Sequence, residues 1–141
     1  MNNNEKIFIN YSNHPSNRWN PEQRAAAEKY GRIVDMEFHK VSMDEDERDI
    51  EWEAYAEYCR IMALHPVAVM CQGEFTLTYV LIQLLQQAGV TVLAACSERK
   101  VEESIDAEGN SVKKSLFRFV RFREYPKALD LLKKACCEPV V

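Results

Sequence analysis

Glycine is scarce in this sequence, with 4 residues among 141. So few glycines cannot supply the glycine-rich loops that hold phosphates in dinucleotide-binding proteins and P-loop enzymes. The apolar runs are too short for a membrane span, and the N-terminal residues lack a signal-peptide pattern. These absences exclude both phosphate-binding motifs, and they predict a cytoplasmic protein that does not interact with membranes.

Cysteine and histidine do not occur at metal-binding spacings. The 5 cysteines are odd in number and form no CxxC pair, whereas zinc sites and disulfide scaffolds use clustered or paired cysteines. HExxH and paired-aspartate motifs are missing as well, so we expect no metal and no cofactor. No CxxxxxR loop follows Cys71 or Cys96, which argues against cysteine-phosphatase chemistry. The cysteines are therefore predicted to be buried, reduced thiols, with exposure of the Cys136–Cys137 pair in the tail as an open alternative.

The overall charge is mildly acidic, with a net charge of -4. A general nucleic-acid coat protein needs a broad basic surface, so no long nucleic acid is expected as a partner. With 47% hydrophobic residues, the chain can bury a substantial core. We expect one domain over residues 1–141.

Short apolar strands alternate with amphipathic helices along most of the chain. Strands are predicted from residue 6 and over 32–38, 67–70 and 91–96, with helices starting near 21, 42 and 75. Continuous apolar strands separated by helices are typical of a parallel sheet covered on both faces. The sequence therefore predicts an α/β fold, a Rossmann-like three-layer sandwich with strand order 2-1-3-4.

The C-terminal part follows a different pattern. Residues 98–123 contain no helical segment and surround the turn-forming sequence DAEGN, which predicts a hairpin whose last strand is antiparallel to strand four. A phase slip at Val120 predicts a β-bulge. Earlier in the chain, Asn20 is expected to cap a helix that ends at Gly31, and Ser42 with Glu45 to begin the next.

Three polar segments follow strands one, three and four. In a parallel sheet these segments meet at the carboxyl edge, where ligands bind at the point of strand-order reversal. The first segment contains Ser12, Asn13, His14 and Ser16, which offer hydrogen-bonding groups and an imidazole that titrates near neutral pH. The alternative is that these residues merely shape a turn.

The second segment contains Gly73, Glu74, Thr76 and Thr78 at the start of a helix. Glycine permits close backbone approach, and a helix N-terminus attracts anions, so Gly73 and the threonines are candidates for phosphate or ribose binding. Glu74 would repel phosphate and is a candidate for a ribose hydroxyl. The alternative is that Glu74 and Thr76 cap the helix.

The third segment contains Ser97 and Arg99, whose guanidinium suits phosphate. Arg118, Arg121 and Arg123 make the last strand basic, which is typical either of phosphate contact or of an exposed edge strand. Arg99 is also consistent with a solvated hairpin position.

Two further features are interpreted as structural. His39 and His65 lie near the ends of predicted elements and are expected to be structural or solvated. The acidic run from Met43 to Glu53 is expected to be a solvated helix face.

The segments INYSNHPS, QGEFTLTYVLIQLLQQAGV, ACSERKV and FRFVRFREY together resemble the small stand-alone CRISPR-associated proteins of Rossmann (CARF-like) fold. The resemblance covers about residues 6–125. Some of those proteins are ring nucleases, and the resemblance implies a homodimer, built on the apolar third helix, that binds a cyclic oligoadenylate. It implies metal-independent cleavage by ribose 2′-hydroxyl attack, which would switch off an antiviral signal.

The resemblance also implies roles for the residues of the three polar segments. Catalytic roles fall to His14, Ser12 and Arg99, and ligand-binding roles to Asn13, Ser16, Gly73, Glu74, Thr76, Thr78 and Ser97. Two alternatives remain open at this point. The first alternative to the ring nuclease is a non-catalytic sensor or sponge for cyclic oligonucleotides. The second is an unrelated nucleotide-binding α/β enzyme.

Overall fold

The computed structural model describes residues 5–137. Its elements, in chain order, are β1 (Ile7–Ser12), a 3₁₀ turn (Ser16–Arg18), α1 (Pro21–Glu28), β2 (Arg32–Glu37), α2 (Glu47–Met62), β3 (Ala68–Cys71), α3 (Phe75–Gln87), β4 (Thr91–Ile105), β5 (Ser111–Glu124) and α4 (Ala128–Cys137). Within this range, no helix combines the length and apolarity that crossing a bilayer requires.

The strands form one sheet in the order β2-β1-β3-β4-β5. Strands β1 to β4 pair in parallel, and β5 is antiparallel to β4. The predicted α/β fold and strand order are thus confirmed. The order reverses between β1 and β3, so the ends of these two strands flank the switch point.

Helices cover both faces of the sheet. Along β1, Phe8 belongs to a buried cluster with Ala27 of α1, whereas Ile9 packs in a second cluster with Leu77 and Leu81 of α3. Side chains of a strand alternate between its faces, so α1 lies on one face and α3 on the other. Helix α2 contributes Ile61 to the α3 side, which completes the three layers.

The predicted start of α1 is confirmed, but its predicted end is wrong. The Asn20 side chain accepts a hydrogen bond from Gln23 N at 2.9 Å. The helix ends at Glu28, and Gly31 is not in the left-handed conformation of a helix stop. A Cβ at Gly31 would overlap the backbone of Lys6, so glycine is required here by close approach of two chain segments.

The predicted start of α2 is also wrong, by about one turn. Ser42 and Glu45 form a turn, in which Glu45 N donates to Ser42 O at 3.2 Å. The capping box is formed by Asp46 and Asp49, whose side chains and backbone N–H groups bond each other at 2.9 and 3.1 Å. This second box lies next to Ile50, the first buried residue of the helix.

Beyond the sheet, β4 and β5 continue as a two-stranded ribbon, which we call the arm (residues 97–119). Cys96 pairs with Arg121 and Ser97 with Phe119, so Val120 is the extra residue of a bulge, as predicted. The arm extends roughly 30 Å at the usual rise of a strand. It closes in a turn where Gly109 has a φ of 83°.

The prediction of buried thiols holds for one cysteine. Cys71 is buried and Cys96 is half-buried, but Cys59 and Cys136 are exposed, and all four are free thiols. The side chain of Cys137 lies outside the described part. Cys59 lies on an exposed position of α2, and every described side chain of α4 is exposed.

Candidate functional site

The loop after β1 is held by a partly buried polar network. Asn10 Nδ2 donates to His14 O at 2.8 Å and to Asp35 Oδ1 at 2.9 Å. The Ser12 hydroxyl donates to Asn10 Oδ1 at 2.6 Å and accepts from His14 N at 3.2 Å. These bonds hold the backbone of the loop from its buried side.

The same loop is anchored from β2 and α1. Asp35 accepts hydrogen bonds from Ser16 N at 3.2 Å and from the Ser16 hydroxyl at 3.0 Å. Arg24 Nη2 donates to Ser16 O at 2.8 Å. Asp35 also lies directly opposite Asn10 in the parallel register of β1 and β2, so one carboxylate holds both ends of the loop.

Two side chains of the loop are buried and two are exposed. Ser12 and Ser16 are buried and take part in the internal network, which gives them positioning roles in this structure. Asn13 and His14 are exposed, and the hydrogen bonds of the loop engage His14 through its backbone. The loop therefore presents an amide and an imidazole to solvent on a rigid support.

A cleft of about 410 Å³ lies beside this loop, at the ends of β1 and β2. Its lining residues are Asn10, Ser12, Asn13, Pro15, Asp35, Met36 and Glu37. A larger recess of about 600 Å³ lies at the opposite edge, next to Lys6 and Gly31. We place the candidate site in the smaller cleft because the loops after parallel strands meet at the carboxyl edge.

At the start of α3, Glu74 caps the helix, which is the alternative that the sequence left open. Its carboxylate accepts from Leu77 N at 2.8 Å and from the Thr76 hydroxyl at 2.7 Å. Partial burial raises the pKa of Glu74, but these hydrogen bonds outweigh it and hold the pKa below its ordinary value. An anionic side chain thus occupies the position where this helix would attract a phosphate.

The other two residues of this segment are Gly73, which is exposed, and Thr78, which is buried. A Cβ at Gly73 would overlap the ring of Phe38. The space that the glycine leaves open is therefore occupied by this ring and not by a phosphate or ribose. Thr78 is buried beside the Cys71 thiol. Burial raises the pKa of Cys71 to about 12, against a smaller opposing effect of the neighbouring Thr78 hydroxyl, so this thiol stays protonated at neutral pH.

Ser97 and Arg99 lie on the arm. The Arg99 Nε and Nη2 atoms donate to the Ser115 hydroxyl at 3.1 and 2.8 Å. Ser97 pairs with Phe119, which packs in the cluster on the α1 side of the sheet, and Arg99 shares this face by strand alternation. Arg118, opposite Glu98, lies on the other face.

The predicted site residues thus form three groups at one edge. The β1 loop and Arg99 lie towards the α1 side of the sheet, and Glu74 and Thr76 begin the helix on the other side. The separation between β1 and β4 is about 10 Å, because one strand lies between them.

Sequence reasoning missed the residues that hold this edge together. Asn10 and Asp35 fix the β1 loop, and Gln72 Oε1 accepts from Ala95 N at 2.7 Å, which ties the end of β3 to the base of the arm. The Tyr125 hydroxyl donates to Cys71 O at 2.9 Å. Asn10 could have been identified from the sequence, because a polar residue inside an apolar strand indicates a buried hydrogen-bonding role.

The comparisons with known proteins give a family. Residues 6–123 match the family described as "Uncharacterized protein MJ1673 family", and no curated protein matches the chain. The matched range includes the three loops at the carboxyl edge and the whole arm. The chain belongs to the MJ1673 family.

Proposed function

We propose that the protein binds a cyclic oligoadenylate at the carboxyl edge of its sheet and cleaves it, acting as a CRISPR-associated ring nuclease. The observation that carries this proposal is the β1 loop, which is fixed by Asn10 and Asp35 and presents Asn13 and His14 to solvent. Preorganised polar groups beside a cleft are the usual form of a ligand site.

The groups around the cleft match the two polar parts of a nucleotide. Glu37 ends β2 at the cleft and is exposed, and a carboxylate at the end of this strand is well placed to accept hydrogen bonds from ribose hydroxyls. Asn13 both donates and accepts. Arg99 supplies the positive charge that a phosphodiester requires, on the same side of the sheet.

In the proposed reaction, a ribose 2′-oxygen attacks the adjacent phosphorus and the P–O5′ bond breaks. The 2′-hydroxyl loses its proton to a base, the leaving 5′-oxygen gains one, and the product is a linear strand with a 2′,3′-cyclic phosphate. We assign the proton transfers to His14 and stabilisation of the phosphorane charge to Arg99. Ser12 has a positioning role, since its hydroxyl is held by Asn10.

A ring of adenosines requires two copies of the chain in this proposal. The cleft of about 410 Å³ in one chain suits one nucleotide unit rather than a ring. Helix α3 carries two exposed aromatic side chains one turn apart, Phe75 at 90% and Tyr79 at 65% exposure. Large exposed aromatic side chains are typical of interfaces, so we propose a homodimer that brings two edges together.

A non-catalytic sensor or sponge is the second candidate. It is favoured by the lining of the cleft, which among residues 5–137 includes Asn13 but no histidine, and by the internal hydrogen bonds that occupy Ser12 and Glu74. An unrelated nucleotide-binding α/β enzyme would use the same cleft for a mononucleotide. Turnover separates the first two functions, and ligand size separates both from the third.

The decisive experiment is incubation of the purified protein with cyclic tri-, tetra- and hexa-adenylate in EDTA, followed by chromatography. Linear products with a 2′,3′-cyclic phosphate support the nuclease. An intact ring that co-elutes with the protein supports the sensor. If neither cleavage nor binding occurs, the proposal is wrong, and binding of a mononucleotide would then support the third function.

Two variants, each with a control, test the roles proposed for His14 and Arg99. His14→Ala should slow turnover about 100-fold or more with little change in affinity, while Asn17→Ala, an exposed neighbour, should leave both unchanged. Arg99→Ala should weaken binding about tenfold or more, whereas Arg118→Ala on the other face of the arm should not. Full activity of His14→Ala would remove His14 from the reaction.

A further inference from the structure

A second polar cluster lies between the end of β2 and the start of α2. His39, Glu45 and Glu53 bring one ligand atom each to within 4.8 Å of one another. His39 Nε2 lies 3.4 Å from Glu53 Oε2. Part of the acidic run expected to be a solvated helix face therefore converges on a histidine, and Glu53 keeps 24% of its side chain exposed.

The histidine is oriented by a buried carboxylate. His39 Nδ1 lies 3.2 Å from Glu57 Oε1, and the Glu57 side chain is 5% exposed. Glu57 is itself paired with Arg60, and the backbone N–H of His39 donates to the Tyr11 hydroxyl at 3.1 Å. A carboxylate on the second imidazole nitrogen is the arrangement that holds metal-binding histidines in proteins.

Glu53 supplies an independent observation. Its Oε2 atom is fully buried and has no hydrogen-bond partner among residues 5–137. A buried, unpartnered carboxylate oxygen next to a second carboxylate is costly, and a bound cation would satisfy both.

The distance between His39 and Glu53 also fits a shared metal. Two ligands of one tetrahedral zinc ion, each about 2.0–2.1 Å from the metal, lie about 3.3 Å apart. The 3.4 Å between His39 Nε2 and Glu53 Oε2 matches this value, although the two atoms do not form a hydrogen bond.

We propose that His39, Glu45 and Glu53 bind a divalent transition metal such as Zn²⁺, with Glu57 holding the imidazole in the orientation that the metal requires. Three protein ligands leave a fourth position for water. One nitrogen with carboxylate oxygens favours Zn²⁺ over Mg²⁺, which prefers six oxygen ligands. The metal would fasten residues 39–46 to α2.

This site is separate from the proposed nuclease chemistry, which needs no metal. None of its ligands is among the residues that line the cleft beside the β1 loop. The competing explanation is a doubly protonated His39 that bridges Glu53 and Glu57 without any metal. The two explanations differ in whether a metal binds at 1:1 stoichiometry.

The test uses the EDTA-treated, desalted protein and titration with Co²⁺, which reports its ligands by absorption. We expect 1:1 binding with the visible bands of a tetrahedral nitrogen–oxygen site, and displacement by Zn²⁺ but not by Mg²⁺. A near-ultraviolet cobalt–thiolate band would instead reveal binding to an exposed cysteine such as Cys59 and would count against the proposal.

Four variants complete the test. His39→Gln and Glu45→Gln should each weaken Co²⁺ binding more than about 100-fold, and Glu57→Gln about 10–100-fold with all three ligands present. Glu51→Gln, an exposed carboxylate on the same helix, should bind as the wild type does. Because Glu45 precedes α2, its variant tests the site even if a change at His39 impairs folding.

Absence of 1:1 binding, or equal binding by wild type and His39→Gln, overturns the metal site. Neither result would affect the cleavage experiment, which is carried out in EDTA. Conversely, a protein that binds Co²⁺ but leaves cyclic oligoadenylates intact would keep the metal site and remove the nuclease.

Discussion

The centre of the sheet and the arm are built on opposite principles. β1 is buried from Phe8 to Ser12, whereas every residue of the arm from Ser97 to Arg118 is exposed. Both regions are strands with apolar side chains. In the centre these side chains pack between helices, but on the arm Ile105 and Phe117 remain 78% and 74% exposed.

The difference shows that the two regions are stabilised by different forces. Burial of apolar surface stabilises the centre. The arm relies on its turn, on strand pairing and on exposed ion pairs such as Glu103–Lys113 at 3.6 Å. Exposed ion pairs contribute little to the free energy of unfolding. A two-stranded ribbon alone is marginally stable in water, so the arm is better suited to contact a ligand or a second copy than to support the fold.

The largest difference in unfolding free energy is expected between a variant of the core and a variant of the arm. Leu81→Ala removes a fully buried side chain and should cost about 2–5 kcal/mol of unfolding free energy. Phe117→Ala removes a larger but exposed side chain and should change it by less than about 0.5 kcal/mol. Urea unfolding measures both values. Similar losses in the two variants would show that the arm packs on the core.

A smaller effect is expected where α3 meets β2. Gly73→Ala places a Cβ into the Phe38 ring, which must move, so the variant should lose about 1–3 kcal/mol of unfolding free energy. Ser97→Ala, at the exposed base of the arm, serves as the control. If Gly73→Ala is as stable as this control, the ring is free to move and the glycine is there for another reason.

Glu74→Ala removes the cap of α3 and should lower the free energy of unfolding by about 1 kcal/mol. Thermal unfolding at neutral pH measures this change. The pKa of Glu74 is lowered from 4.5, so its stabilisation is complete above that value and is lost as pH falls through the lower pKa of the folded state. The difference between wild type and variant should therefore shrink in acid. A constant difference down to pH 2 would contradict the ionised cap.

The smallest effect on stability is expected from removal of the arm. Replacing residues 98–118 by Asn-Gly joins the Ser97–Phe119 pair with a two-residue hairpin turn. The melting temperature should change by no more than roughly 2 °C, while affinity for the proposed cyclic oligoadenylate should fall at least about tenfold, as in Arg99→Ala. A large drop in melting temperature would place the arm among the stabilising elements.

The fold was accessible from sequence because local signals and burial agree. Continuous apolar strands predicted the parallel sheet, the Asn20 cap is correct, and the phase slip at Val120 identified the bulge. The start of α2 failed because Ser42 and Asp46 both begin capping patterns, and proximity to the buried Ile50 decides between them. Such a choice depends on tertiary packing.

The candidate site was less accessible. Sequence spacing could place the three loops at one edge, but it could not show that Asp35 holds Ser16 or that Phe38 fills the space beside Gly73. These contacts join residues that are far apart in the sequence. For the same reason His39 was interpreted as structural or solvated, since Glu53 and Glu57 approach it only once α2 has packed on the sheet.

The turn at the tip of the arm has a practical consequence. Asp106 N donates to Asn110 O at 3.0 Å, and the Asp106 carboxylate accepts from Asn110 N at 2.8 Å, so the tip is closed by its own hydrogen bonds. Exposed loop tips of this kind tolerate insertions. A fluorophore or short peptide tag attached at Glu108 would report the position of the arm while leaving the core and the β1 loop intact.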